Sequence, residues 1–183
     1  MIGGYGQKKQ MLSSAEIAAA LTEMAALANG SGTKILLVGG VALYQYGSDR
    51  LTSDLDFAVS GPIDALPNES PLSFGGYQSH TPSGVAVDLI MRDDDYAEVF
   101  AEALEYPRKI EGVPVPVASP EYLVLMKMVA RRKKDALDLD MLLESGNVDV
   151  AKARRLIKRL LGAFAVDYFD TTLQMAEWQR SKK

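Results

Sequence analysis

Two short segments alternate apolar and polar residues with a period of two, and each carries its aspartates on the polar side. In residues 54–60 (DLDFAVS), Leu55, Phe57 and Val59 fall on one side and Asp54, Asp56 and Ala58 on the other. In residues 84–91 (GVAVDLIM), Val85, Val87, Leu89 and Met91 share a face, and Asp88 points the other way. That period commits both segments to strands with one face in a core. Residues 34–38 (KILLV) add an almost wholly apolar run between glycine-containing stretches, as a strand buried on both faces would read.

Helices surround these strands. Ser13 and Glu16 stand at capping-box spacing ahead of Ile17, Leu21, Met24 and Ala28, and Asn29-Gly30 supplies a left-handed stop. Gly39-Gly40 closes the apolar strand, and residues 41–46 can form a short helix before Gly47 breaks it. Residues 61–76, rich in Pro, Gly, Ser and Asn, read as a surface excursion. A helix over 96–104 and a hairpin around Glu111-Gly112 complete this portion. At Ser119-Pro120, an N-cap followed by a first-turn proline, helical spacing takes over. It continues over 122–132, 136–144, 150–161 and 163–179, with Gly146 and Gly162 as punctuation. The expected organisation is a disordered lead over 1–11, an α/β (α+β) core over 12–118, and a C-terminal helical portion over 119–183.

Composition narrows the chemistry. The chain of 183 residues is 48% apolar and 24% charged, as in soluble globular proteins. No apolar run approaches the roughly 20 residues that span a bilayer, so no membrane partner is expected. The opening MIGGYGQKKQ leads into no signal-type hydrophobic segment, which makes the cytoplasm the expected location. With no cysteine and a single histidine, His80, thiolate nucleophiles and cysteine-ligated zinc are excluded, and carboxylates must carry any metal chemistry. A net charge of −4 disfavours a general nucleic-acid coat but leaves room for a local basic patch.

Residues two apart on a strand project from one face, so Asp54 and Asp56 aim two negative charges at one point. Like charges beside an apolar strand are costly without a cation, and hard oxygen ligands select magnesium, manganese or calcium. Asp88 completes a three-carboxylate cluster if its strand is a neighbour. An isolated Asp-x-Asp is as readily a solvent-facing strand end. The glycine pair changes that balance, because Gly39-Gly40 lets phosphate oxygens approach a backbone closely. Asp93, Asp94 and Asp95 read as a solvated turn and helix start. Arg131 to Lys134 (RRKK), with Arg154, Arg155, Lys158 and Arg159, read mainly as solvated helix faces, the alternative being contact with a triphosphate or a tRNA-like acceptor. Lys127, among Leu125, Met126, Met128 and Val129, is expected at the core's margin. His80 reads as loop structure, and Tyr44 and Tyr46 as packing behind the sheet.

The order of an apolar strand, Gly39-Gly40, a short helix, Asp54-Leu55-Asp56-Phe57 and a later Asp88 resembles the nucleotidyltransferase superfamily of polymerase-beta-like fold. The run Arg50-x-Thr52-x-Asp54-x-Asp56 is similar to that of the minimal bacterial members related to AbiEii-type toxins and to small antibiotic-modifying transferases. The segment from Ala118-Ser119-Pro120-Glu121 through Lys127, Lys134-Asp135 and Asp138 looks like their helical region, so that residues 34–143 are covered. The resemblance implies a mixed sheet flanked by helices and a transfer of NMP from an NTP to a hydroxyl on tRNA, protein or a small molecule. It also implies that Gly39, Gly40, Arg50, Thr52, Ser53 and Lys127 hold the nucleotide. Asp54, Asp56 and Asp88 would be the catalytic residues and ligands of Mg2+, or of Mn2+ in its place, with Asp88 helping to deprotonate the attacking hydroxyl. An antitoxin protein is the implied partner of a toxin. The alternative is a non-catalytic nucleotide-binding or regulatory module on the same fold, or a small antibiotic-modifying nucleotidyltransferase.

Overall fold

A computed structural model describes residues 10–182. Helix α1 (Ser14–Ser31) starts at the capping box foreseen above, with the Ser13 amide donating to Glu16 Oε2 at 2.7 Å. It runs past Asn29-Gly30 and stops at Gly32, whose φ of 69° supplies the left-handed turn. Strand β1 (Ile35–Val38) leads directly into α2 (Gly39–Tyr44), and β2 (Leu55–Val59) follows. Then come β3 (Ser70–Pro71), β4 (Gly76–His80), β5 (Ala86–Ile90) and α3 (Ala97–Glu105). The chain ends in α4 (Pro120–Ala130), α5 (Lys133–Glu144), α6 (Val150–Leu160) and α7 (Ala163–Arg180). Residues 1–9 of the expected lead lie outside the described residues. From Leu12, whose amide donates to the Thr52 carbonyl at 2.8 Å, the chain is tied to the sheet region.

The five strands form one mixed sheet in the order β1-β2-β5-β4-β3, parallel at β2–β5 and antiparallel elsewhere. The segment around Val117 covers the outer edge of β1: the Leu37 amide donates to the Pro116 carbonyl, and the Ala118 amide to the Leu37 carbonyl. The 61–76 stretch is more than a surface excursion, because it contains β3 and leads into β4. Both escaped the periodicity reading. Only Tyr77 is a large apolar residue in GYQSH, so β4 gains its place from pairing with β5 rather than from an apolar face.

Helix α4 joins the two portions, since every residue from Pro120 to Met128 is buried. It packs against α3, α5 and α6. The foreseen helices are all present, with ends shifted by a few residues.

Gly76 fixes how closely β4 lies against β5. Its φ is 97°, and a Cβ there would sit 2.0 Å from the Leu89 carbonyl oxygen. Gly76→Ala is therefore expected to destabilise the fold by on the order of 2 to 4 kcal/mol in denaturant titration. Gly30→Ala, on an open helical face, is expected to stabilise by about 0.5 to 1 kcal/mol.

Candidate active site

Strand register brings the aspartates together. Asp56 of β2 stands opposite Asp88 of β5 as its Cα partner, and Asp54 precedes β2 by one residue on the same face. Across β1–β2 the partner of Asp56 is Val38, so the Gly39-Gly40 turn begins beside the Asp56 carboxylate. The contact leaves no room for a side chain: Gly39 has φ 64°, and a Cβ there would lie 1.8 Å from Asp56 Oδ2. At Gly40 a Cβ would press on the Thr52 hydroxyl at 3.2 Å. The Thr52 hydroxyl in turn faces Asp54, at 3.0 Å from its carbonyl and 3.3 Å from Oδ1. Gln78 of β4, paired with Asp88 in register, donates its amide to Asp88 Oδ1 at 2.8 Å. Gln78 was not among the expected site residues, because its strand was not recognised.

The cluster is electrostatically strained. Burial pushes the Asp56 carboxyl up to about 6, with Asp54 and Asp88 adding to the rise and Lys127 and Lys134 opposing it. Among the described residues no three carboxylates or imidazoles enclose a metal by themselves. Magnesium does not require such a cage, since it usually takes one or two carboxylates and completes its shell with water and substrate phosphate. The donor set fits that ion: hard oxygens in excess negative charge, beside a turn without side chains.

The aspartates face a cleft of about 540 Å³. Gly39, Gly40, Arg50, Thr52, Ser53 and Lys127 all line it, as do Arg92, Arg132 and Lys134. The cleft thus gathers the expected nucleotide residues with the aspartates. Met11, placed in the expected lead, is also on its wall. The Arg92 guanidinium lies 5.4 to 5.5 Å from the ring centres of Phe74, Tyr96 and Phe100, and it pairs with Asp94. Asp93, Asp94 and Asp95 are exposed, as a solvated turn would be.

Lys127 is not at the core's margin. It is 7% exposed, and its ammonium donates to Asp135 Oδ1 at 3.1 Å and to Asp138 Oδ2 at 2.6 Å. Arg132 binds the other oxygen of Asp135 at 2.7 Å, and Arg50 stands 3.3 Å from Asp138 Oδ1. Burial opposes the charge on Asp135, but the bonds from Arg132 and Lys127 outweigh it and hold its carboxyl below the ordinary range. This network ties α4 and α5 to the cleft wall at Arg50. Asp135 and Asp138 were visible only as part of a familiar helical segment, and nothing in their spacing disclosed a buried lysine as their partner.

The remaining candidates lie elsewhere. His80 is exposed and pairs with Glu69 at 2.7 Å. Tyr44 is exposed rather than packed behind the sheet, while Tyr46 is half-buried and donates to the Ala118 carbonyl. Arg154 pairs with Asp170 and Arg159 with Glu102, on helix faces away from the cleft.

No protein-family model and no curated protein matches the chain. Solved structures do. The solution structure of the antibiotic-resistance factor ANT(2'')-Ia aligns with a TM-score of 0.50 and 15% identity, covering 93% of this chain and 97% of its own. The fold is nucleotidyltransferase-like. An antigenic nucleotidyltransferase-like protein from Paracoccidioides brasiliensis aligns over 86% of this chain and 95% of its own, with a TM-score of 0.46 and 18% identity. At 15% identity it is the fold alone that this chain shares with ANT(2'')-Ia.

Two stability measurements test the site's electrostatics. Asp56 holds its proton more tightly when folded than at its ordinary value of 3.8. Its contribution to stability is thus fully present below that value and is lost as pH rises through about 6. Asp56→Asn should then be more stable than the parent at pH 8, by on the order of 1 to 3 kcal/mol, with little difference at pH 4. Lys127→Met strands two buried carboxylates that keep only their arginines, and should cost roughly 3 kcal/mol in denaturant unfolding.

Proposed function

We propose that this protein is a magnesium-dependent nucleotidyltransferase that moves an NMP from an NTP to a hydroxyl acceptor. The observation that carries the reading is the register of β2 and β5, which sets Asp56 beside Asp88, with Asp54 on the same face, against the Gly39-Gly40 turn. Asp54, Asp56 and Asp88 would hold magnesium, or manganese in its place. Bound there with the triphosphate, it would supply charge neutralisation at the reacting phosphate and at the leaving pyrophosphate.

The chain's own residues do the rest. Gly39 and Gly40 present backbone without side chains, so the triphosphate can lie close to the carboxylates. Arg50, Thr52 and Ser53 form the adjoining wall, and Arg132 and Lys134 bring positive charge to the cleft. Lys127, on the cleft wall, offsets the aspartates while bound to Asp135 and Asp138. Gln78 holds one oxygen of Asp88 and orients the other to receive the proton of the attacking hydroxyl.

Arg92, Arg132 and Lys134 on the cleft favour an anionic acceptor such as tRNA over a polycationic one. A second cavity of about 500 Å³ shares Lys127, Val129, Arg132 and Asp135 with the first and gives the acceptor room beside Tyr96 and Tyr168. The Arg50-x-Thr52-x-Asp54-x-Asp56 run extends the reading to a cytoplasmic toxin restrained by an antitoxin protein.

The test supplies each NTP labelled at its α-phosphate, with magnesium and separate pools of RNA, protein and small molecules. Label is expected on RNA, and its transfer should disappear in the Asp54→Asn, Asp56→Asn double variant. Magnesium plus NTP should also raise Tm more than either alone in the parent and not in the variant. A double variant that keeps the full magnesium-dependent shift would remove these aspartates from the ligand set.

A further inference from the structure

Helix α7 is apolar on two opposite faces. Phe169, Leu173 and Ala176 are buried against the helical portion. On the far side Phe164, Tyr168, Met175 and Trp178 are 92%, 52%, 60% and 60% exposed. Their spacings of four, seven and three residues put them on one stripe of heptad period, with Thr171 in its middle. A helix that is apolar on both sides is suited to burial on both, and large aromatic side chains gathered on one exposed stripe mark an interaction surface.

The chemistry of the stripe selects its occupant. From Ala163 to Gln179 the helix has no lysine or arginine, so that Lys182, stacked 3.7 Å from the Trp178 ring centre, is the single cation at the stripe among the described residues, where a phosphate backbone would need several. The stripe is also close to palindromic. Reversed about Thr171, Phe164 lies opposite Trp178 and Tyr168 opposite Met175, with the small threonine at the crossing. An antiparallel copy opposes the two helix dipoles. Burying the four large side chains removes roughly 500 Å² from each copy, which brings the total to about the 1,000 Å² that a specific interface needs.

We propose that two copies of this chain pair through α7, antiparallel about a two-fold axis at Thr171. Such an interface is isologous and closes on itself. It brings the partner's Met175 and Trp178 against Tyr168 and Phe164, two residues that line the second cavity. Each copy thereby supplies a wall to the cavity of the other, beside the cleft with the aspartates.

The chain contains no cysteine, which makes the test direct. Thr171→Cys introduces a single thiol at the axis and is expected to oxidise rapidly to a disulfide-linked dimer. Lys158→Cys, on the exposed face of α6, is the control and should form no disulfide link on the same timescale. Sedimentation equilibrium should give twice the monomer mass for the parent. Thr171→Arg, which sets two like charges against each other across the axis, should give the monomer mass with an unchanged circular dichroism spectrum. A parent that stays monomeric at its highest soluble concentration overturns the proposal. So does a Thr171→Arg protein that remains a dimer, or a Lys158→Cys protein that links as fast as Thr171→Cys. If Thr171→Arg fails to fold, the cysteine pair decides.

Discussion

Parallel pairing of β2 with β5 places one aspartate beside another, and the surroundings are organised around that repulsion. A strand pair separates opposed residues by about 5 Å, so two carboxylates in register at one end of a sheet act on each other through little water. Asp54 adds a third charge to the same face. The fold answers with close-set backbone at Gly39, an amide from Gln78, and the charges of Lys127 and Lys134. What it leaves is net negative charge at the edge of a cleft, an arrangement useful chiefly for holding a cation.

The second organising element is the buried ion network of Lys127, Asp135, Asp138, Arg132 and Arg50. Its members come from α4, α5, one of the two residues between them and the loop before β2, so it fastens the helical portion to the wall where a triphosphate would lie. Such a network contributes little net stability compared with an apolar core, but breaking it is costly because a charge is left behind. It therefore fixes the relative placement of α4, α5 and Arg50 more than it strengthens the whole.

Much of this was legible in the sequence, for identifiable reasons. The alternation around Asp56 and Asp88 gave the two strands and the face of each carboxylate, since a period of two admits one arrangement. The capping box at Ser13 and Glu16 gave the start of α1, and Ser119-Pro120 that of α4. Strand β4 was not legible, because GYQSH has almost no apolar pattern and owes its conformation to β5. With it went Gln78. The stop of α1 was misplaced because Asn29-Gly30 is a sound signal that the helix overrides for two residues before Gly32. The burial of Lys127 was missed because helical spacing shows which face a residue occupies but not which charges a later helix brings to it.

The claim on which the functional reading rests is that the three aspartates bind a divalent ion together with a triphosphate. Its most direct test is a crystal structure with manganese and a non-hydrolysable NTP, with data collected at the manganese absorption edge. The account predicts an anomalous peak within about 2.2 Å of carboxylate oxygens of Asp56 and at least one of Asp54 and Asp88, with the triphosphate along Gly39-Gly40. A triphosphate bound elsewhere, or manganese carried by the nucleotide with no aspartate in its shell, would contradict it.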